Sequence, residues 1–462
     1  MPRAALSLVL LVLGGGCGRI GFDAQDASRD TPTGDTVIAD SFPADAPTAE
    51  RVVLTALDGT TVPAGALTRI QASLEPAAGQ VPGVRFVLEA DGAFLDAGGG
   101  PAQAVSVTVA ADGTIPIVGL RFALASAAPA TATITGMPPL MEVTGDTTYT
   151  VEAAVLEDEG GLRVARGFGV DTLPNAGSED LTDRATVMAF PPFGSWPDGP
   201  YIGLSGDTPT VARYDGTGFE TFAVSDGVNG PDRNVSRLVF GPGDGSYGEF
   251  LFVCSASSGG GDGVFSVSAA GDFAPWYVFN NCNGITFDEA LVAGDPGFSP
   301  VMYLNRNSDN MVRVDSMASP TTLTTTLPWG GSGHRLYAAN HDLFPKGLWL
   351  LFLGTDPDYD DGFLWNATRA DPFPAAPDVL LPVLDTPRAL IFTNELAWGN
   401  SVLILLQATG ELRAYRPDWS SFPVVTGLTG ASDAVMGPDG LSVYVVERTT
   451  GRVLVVTPRG AT

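Results

Sequence analysis

The chain has 462 residues, 44% of them hydrophobic, enough to bury the cores of roughly two to four domains. It carries 52 Asp and Glu against 24 Lys and Arg, a formal charge of -28, which repels a phosphate backbone and excludes general nucleic-acid binding. Two His and three Cys exclude a zinc-finger array or a disulfide scaffold; 57 Gly and 36 Pro mark a turn-rich chain, too apolar to be disordered throughout.

Residues 4–13, behind Arg3, form an apolar run of about ten residues, too short to span the hydrocarbon core and the right length for an export signal. Gly14, Gly15 and Gly16 then lead into Cys17. This stretch, MPRAALSLVLLVLGGGC, resembles the signal and lipobox of bacterial lipoproteins, with Leu13 one position further from the Cys than the family's usual Leu. The resemblance implies a signal peptide over 1–17 and a lipid on Cys17; the alternative is an ordinary secretory signal with an incidental Cys. The following CGRIGFDA resembles the start of myxobacterial surface lipoproteins. Gly18 in place of Asp after the Cys implies the outer membrane or cell surface. No other segment reaches 18 consecutive apolar residues, so acyl chains, not a transmembrane helix, are the expected membrane attachment.

Residues 18–50 space Asp23, Asp26, Asp30, Asp35, Asp40, Asp45 and Glu50 among Pro, Thr, Ser and Ala. Such a segment lacks the apolar area to form a core and reads as an extended, solvated, disordered linker. Setting Cys17 aside leaves Cys254 and Cys282, an even pair expected as a disulfide in an oxidising compartment; two separately buried thiols are the alternative.

From Arg51 the pattern becomes short alternating runs with turns between them: RVVLTALDG, ALTRIQASLEP, VRFVLEADGAFL, AVSVTVAADG, IPIVGLRFAL, ATATITG and TYTVEAAVLED. Seven candidate strands over 51–158 predict an Ig-like β-sandwich without the Cys–Trp–Cys signature of antibody domains. The pattern resembles the Ig-like modules of bacterial surface proteins, which implies a spacer.

Over 159–462 a longer unit recurs. ATVMAFPPFGSWPDGPYIGL, SRLVFGPGDGSYGEFLFVCS, NGITFDEALVAGDPGFSPVMYLN, HRLYAANHDLFPKGLWLLFLG, RALIFTNELAWGNSVLILLQ and SDAVMGPDGLSVYVVER repeat with a mean period of about 49 residues. Each joins an apolar run, a Gly/Pro/Asp turn and a strongly hydrophobic strand; a third strand follows each copy and a fourth follows most. Four short strands per repeat predict propeller blades. The sixth copy stops after its third strand at Pro458, and an unpaired edge there is a liability. The segment GLRVARGFGVD, 161–171, is expected to supply the missing strand. The closing AVMGPDGLSVYVVERTTGRVLVVTP resembles the six-bladed propellers of the NHL, TolB-like and senescence-marker-protein/gluconolactonase group. The expected architecture is therefore all-β: an Ig-like sandwich, then a six-bladed β-propeller closed by an N-terminal strand.

In that topology the entries of the inner strands share one face with the loops between second and third strands. Asp183, Arg184, Asn234, Asn283, His334, Arg388 and Asp433 are expected around the channel mouth, with Cys254 and Cys282 on the same face. The gluconolactonase resemblance implies a divalent cation there, held by Glu, Asn and Asp, with an Asp as acid/base; Asn234, Asn283 and Asp433 are the candidate ligands. No Glu occupies the first entry, and Arg184 and Arg388 would repel a cation, so a polar, solvated opening is the competing reading. In GTDPDYDDG, 354–362, Asp356, Asp358 and Asp360 alternate as in a calcium loop, but Gly362 stands one position late and no Glu follows at the twelfth position. Ca2+ and a plain acidic turn both fit that loop.

No G-x-S-x-G elbow or phosphate-binding loop is present; SSGGGDG, 257–263, reads as a hairpin loop. His334 and His341 fall on opposite faces and make no dyad. Trp196, Trp329, Trp365 and Trp419 suit packing between blades better than glycan docking. The expected function is a lipid-anchored binding or scaffold protein for a protein or carbohydrate partner, not an enzyme. A metal-dependent lactonase-like hydrolase and a purely architectural envelope protein are the alternatives.

Overall fold

The computed structural model describes residues 50–63, 67–77, 82–91, 93–97, 104–122, 130–137, 142–152, 155–192, 194–243, 247–256, 263–277, 282–288, 301–306, 311–314, 320–323, 334–339, 343–352, 362–367, 378–393, 398, 401–417 and 419–459. Among them every regular element of more than one turn is a strand, and no helix is long and apolar enough to cross a membrane.

Ten strands come first: β1 (Arg51–Ala56), β2 (Thr61–Pro63), β3 (Leu67–Glu75), β4 (Arg85–Asp91), β5 (Ala93–Asp96), β6 (Ala104–Thr108), β7 (Val118–Phe122), β8 (Ala130–Met137), β9 (Glu142–Gly145) and β10 (Thr148–Glu152). They make two five-stranded sheets, ordered β5–β7–β3–β1–β9 and β2–β10–β8–β4–β6. Side chains of a strand alternate between faces, and in β6 Val105 and Val107 are buried while Ala104, Ser106 and Thr108 are exposed. Val52, Leu54, Ile70 and Leu120 of one sheet meet Phe86, Leu88, Val107 and Ile134 of the other in a single core. The sequence pattern predicts seven strands here. Of the three additional ones, β5 lies at the end of the run VRFVLEADGAFL, which the pattern reads as one strand with β4, and β2 and β9 are edge strands of three and four residues, too short for alternation to reveal.

After β11 (Leu156–Glu159), β12 (Leu162–Ala165) and β13 (Phe168–Thr172) the chain lays down antiparallel sheets in sequence. The first holds β14 (Ala185–Ala189), β15 (Tyr201–Leu204), β16 (Thr210–Tyr214) and β17 (Phe219–Val224). The second holds β18 (Arg237–Phe240), β19 (Leu251–Ser255), β20 (Gly263–Val267) and β21 (Phe273–Tyr277). The third holds β22 (Cys282–Asp288), β23 (Val301–Arg306), β24 (Met311–Val314) and β25 (Pro320–Leu323). The fourth holds β26 (His334–Ala339), β27 (Gly347–Phe352), β28 (Gly362–Ala367) and β29 (Asp378–Leu384). The fifth holds β30 (Pro387–Phe392), β31 (Val402–Leu406), β32 (Glu411–Tyr415) and β33 (Ser421–Thr426), extended by β12 and then β11. The sixth holds β34 (Ala431–Met436), β35 (Val443–Glu447) and β36 (Arg452–Pro458), with β13 as its fourth strand.

Where the sequence predicts a single closing strand over 161–171, the structure has two. β12 lies antiparallel to β33, with Val164 opposite Val425; β13 lies antiparallel to β36, from Phe168 opposite Pro458 to Thr172 opposite Leu454. Each sheet then shares a buried cluster with the next. Val187 and Tyr201 meet Leu238 and Phe265; Phe252 meets Ile285 and Met302; Tyr303 meets Leu336 and Leu350. Trp349 meets Ile404; Trp398 and Leu405 meet Val445 and Leu454; Val446 and Val453 return to Met188 and Leu204. The circuit of sheets is closed, an all-β, propeller-like fold.

Covering both faces of each sheet explains the hydrophobic second strands. LFVCS in β19 and VLILL in β31 are buried at every position. It also explains Gly203 in β15: a Cβ there would stand 2.4 Å from Val235 Cγ1 and 2.8 Å from Val187 Cγ2, so only glycine lets the first two sheets meet.

The innermost strands are further joined by one carboxylate. Asp433 in β34 is fully buried; its Oδ1 accepts from Arg335 Nη1 in β26 at 2.5 Å and from Arg237 Nη1 in β18 at 3.4 Å. Its Oδ2 accepts from the Met188 backbone N–H in β14 at 2.9 Å. Removing one member of such a buried group strands the others' charge, at a cost of about 3–5 kcal/mol. Asp433→Asn is expected to lower unfolding free energy by about that amount in a urea titration, and Asp433→Asn with Arg335→Met to recover part of it.

The closing pair yields a separate expectation. The Leu173 N–H donates to Val453 O at 2.9 Å, and Asp171, two residues earlier, faces β36 along the same edge. Asp171→Pro removes a ladder donor and exposes the β36 edge. It should lower the melting temperature and cause concentration-dependent aggregation in light scattering; wild-type melting would refute the role of this pairing.

Candidate functional site

Adjacent antiparallel strands run in opposite directions, so the start of an inner strand and the end of its neighbour reach the same face. A cavity of about 310 Å³ opens where these ends converge. The inner-strand ends contribute Thr186, Asn234, Val235, Ser236, Asn283, Arg335, Arg388 and Ser432. The remaining residues, Ser205, Ala256, Gln407 and Arg448, each directly follow a second strand, namely β15, β19, β31 and β35.

The hydroxyls at this rim hold the sheets together. Thr186 Oγ1 donates to Val235 O at 2.6 Å, Ser236 Oγ to Cys282 O at 2.6 Å, and Ser432 Oγ to Ala185 O at 3.1 Å. Each crosses from one sheet to the next. Beside Ser236, the Cys254–Cys282 disulfide joins β19 to β22 with Cα atoms 5.3 Å apart and closes a sequence separation of 28, a cross-link contributing about 3.6 kcal/mol in the chain-entropy account.

The charged groups are arginines. Arg335 is buried and committed to Asp433, with Nη2 also donating to Ser432 O at 3.2 Å. Arg237 stands over the Tyr337 ring, 5.1 Å from its centroid, a cation–π contact. Arg448 Nε donates to Asp183 O at 2.8 Å. Arg388 is half-buried, and its Nε donates to Gln407 Oε1 at 2.7 Å. Burial, and then the like charges of Arg335 and Arg448, push its pKa down to about 10. It remains a cation at neutral pH.

Asn234 donates through Nδ2 to Ala256 O at 3.0 Å. Asn283 Nδ2 is buried without a hydrogen-bond partner among the described residues. None of the described lining residues is a carboxylate, imidazole or thiol, so this cavity offers donors and positive charge, not a nucleophile with its base.

Of the residues singled out in the sequence, Asn234, Asn283 and Arg388 thus line one cavity. Asp433 is enclosed beside it, its oxygens engaged by two arginines and a backbone amide, an arrangement that leaves it unsuited to ligating a cation. Arg184 pairs with Glu179 at 3.3 Å, and Asp183 adopts a φ of 57° while its N–H donates to Arg448 O. His334 is the first residue of β26. Cys17, His341, Trp329 and the loop with Asp356, Asp358 and Asp360 lie outside the described residues, as does most of SSGGGDG. Trp196 is buried against Tyr201, Phe222 and Phe240, and Trp419 packs on Phe344 and Trp349.

Sequence reasoning missed Arg335, Gln407 and Arg448. The last two carry a usable signal, since each is the residue just past a second strand, the position that brings Ala256 to the same opening.

No family model and no curated protein matches the chain. Among solved structures, it is similar to an auxiliary nutrient binding protein from Bacteroides thetaiotaomicron, with a TM-score of 0.45, 10% identity, and coverage of 88% of this chain and 97% of that one. It is similar to a catalytically inactive virginiamycin B lyase from Staphylococcus aureus crystallised with quinupristin, with a TM-score of 0.41, 10% identity, and coverage of 63% and 99%. The holo pyranose dehydrogenase PQQ domain from Coprinopsis cinerea gives a TM-score of 0.32, 9% identity, and coverage of 64% and 97%.

Proposed function

We propose that this chain is a lipid-anchored binding protein of the bacterial outer membrane or cell surface. In this reading acyl chains on Cys17 hold it to the membrane, the acidic stretch 18–50 is a tether, and the two-sheet region is an Ig-like spacer. The six sheets that follow are the blades of a six-bladed β-propeller, and its channel mouth is the binding site. The observation that carries the binding role is the chemistry of that mouth: a donor-rich cavity whose adjacent carboxylate, Asp433, is consumed by Arg335 and Arg237. A lactonase-like hydrolase needs oxygen ligands free for a cation and an acid/base group facing the substrate. The arginines oppose the first need, and the described lining residues supply no candidate for the second.

Two experiments test this reading. Assayed against a panel of lactones with and without added calcium, the wild-type protein is expected to match the uncatalysed rate. A calcium-dependent rate lost in Asn283→Ala would instead establish the hydrolase. Metabolic labelling with a fatty-acid analogue is expected to tag the wild type and spare Cys17→Ser; equal labelling of both would remove the lipid anchor.

A further inference from the structure

Arg388 is a half-buried cation whose salt-bridge partner is missing among the described residues. Its single hydrogen bond there is the one from Nε to the neutral Gln407, which leaves both terminal nitrogens of the guanidinium uncommitted. The charges acting on it most strongly are Arg335 and Arg448, both of its own sign. Holding a charge partly out of water without a counter-ion is costly, and like-charged neighbours raise that cost. Asp433, the carboxylate enclosed beside this cavity, is fully buried and divided between two other arginines. A second donor, Asn283 Nδ2, is buried in the same cavity wall and unpaired. On a chain of formal charge -28, this opening gathers positive charge, and none of its described lining residues is an anion.

We propose that the channel-mouth cavity binds a small organic carboxylate, free or as the acid group of a sugar, with the Arg388 guanidinium as its fork and Asn283 as a polar neighbour in the wall. The planar fork matches the two oxygens of a carboxylate, which accept parallel hydrogen bonds from both terminal nitrogens. The cavity, about 310 Å³, is at the small end of ligand pockets and accommodates a molecule of monosaccharide size. Lysine would supply the charge without the fork. The inference rests on the reading of the channel mouth as a binding site and adds the chemical class of the ligand.

The test is calorimetric titration of the detergent-solubilised full chain with D-glucuronate, succinate, D-glucose and sodium sulfate, at low ionic strength and up to about 10 mM. One of the two carboxylates is expected to bind at least about tenfold more tightly than glucose, because hydrogen bonds to a charged group are stronger than neutral ones. Glucuronate in the lead assigns a sugar acid; succinate in the lead assigns a free acid. Arg388→Gln is expected to weaken that binding at least about tenfold, and Arg388→Lys to retain part of it. Arg388→Gln should melt no earlier than wild type, since it removes an uncompensated charge, so its loss of binding is not a loss of fold.

Four results would overturn the proposal: glucose binding as tightly as both acids, sulfate binding more tightly than both, no heat from either acid, or no effect of Arg388→Gln. Glucose binding that Asn283→Ala abolishes would sink the carboxylate and leave the channel mouth as a binding site. Binding of any probe unaffected by both substitutions would sink the two readings together.

Discussion

Five residue pairs between β13 and β36 convert a row of sheets into a circuit. Without them the sixth sheet would end on β36 with its outward N–H and C=O groups unpaired, a template for another chain. With them the first and sixth sheets can press Met188 and Leu204 against Val446 and Val453. Once the ring is closed, the inner-strand ends from both extremes of the chain face one another, as Asp433 and the Met188 amide do. The cavity depends on the same closure, since Arg448 and Ser432 reach it from the last sheet and Thr186 and Ser205 from the first.

Asp433 and Arg388 illustrate two treatments of buried charge. Asp433 is neutralised inside the protein by partners on three other strands, and its place is that of a structural brace. Arg388 keeps one neutral partner and two like-charged neighbours. A fold can bear one such imbalance when other interactions are ample, and here the disulfide and the rim hydroxyls supply them at the same opening.

Much of this architecture was legible because blade-like repeats force a period on the sequence. Runs such as LFVCS and VLILL are apolar at every residue because sheets cover both faces, and their spacing marks the sheets one by one. The short edges β2 and β9 carry no such signature. Nor did the pattern separate β12 from β13: a two-residue turn at Arg166 and Gly167 passes the chain from the fifth sheet to the sixth within one apolar stretch. At the site, Asn234, Asn283 and Arg388 could be named from strand entries alone. Arg335 could not, because neighbouring residues on a strand point to opposite faces and only the register of β26 fixes which face Arg335 takes. That Asp433 is a brace instead of a ligand depends on Arg237 and Arg335, nearly 200 and 100 residues away in the chain.

The closing pairing also sets a timetable. β13 is made early, and its partner β36 emerges roughly 280 residues later, an interval of roughly 15–60 s at ordinary rates of synthesis. For that whole time β13 has no strand to lie beside, and the ring cannot complete however well the intermediate sheets have packed. Closure therefore waits for β36, and the chain made before it is an open arc with one waiting strand.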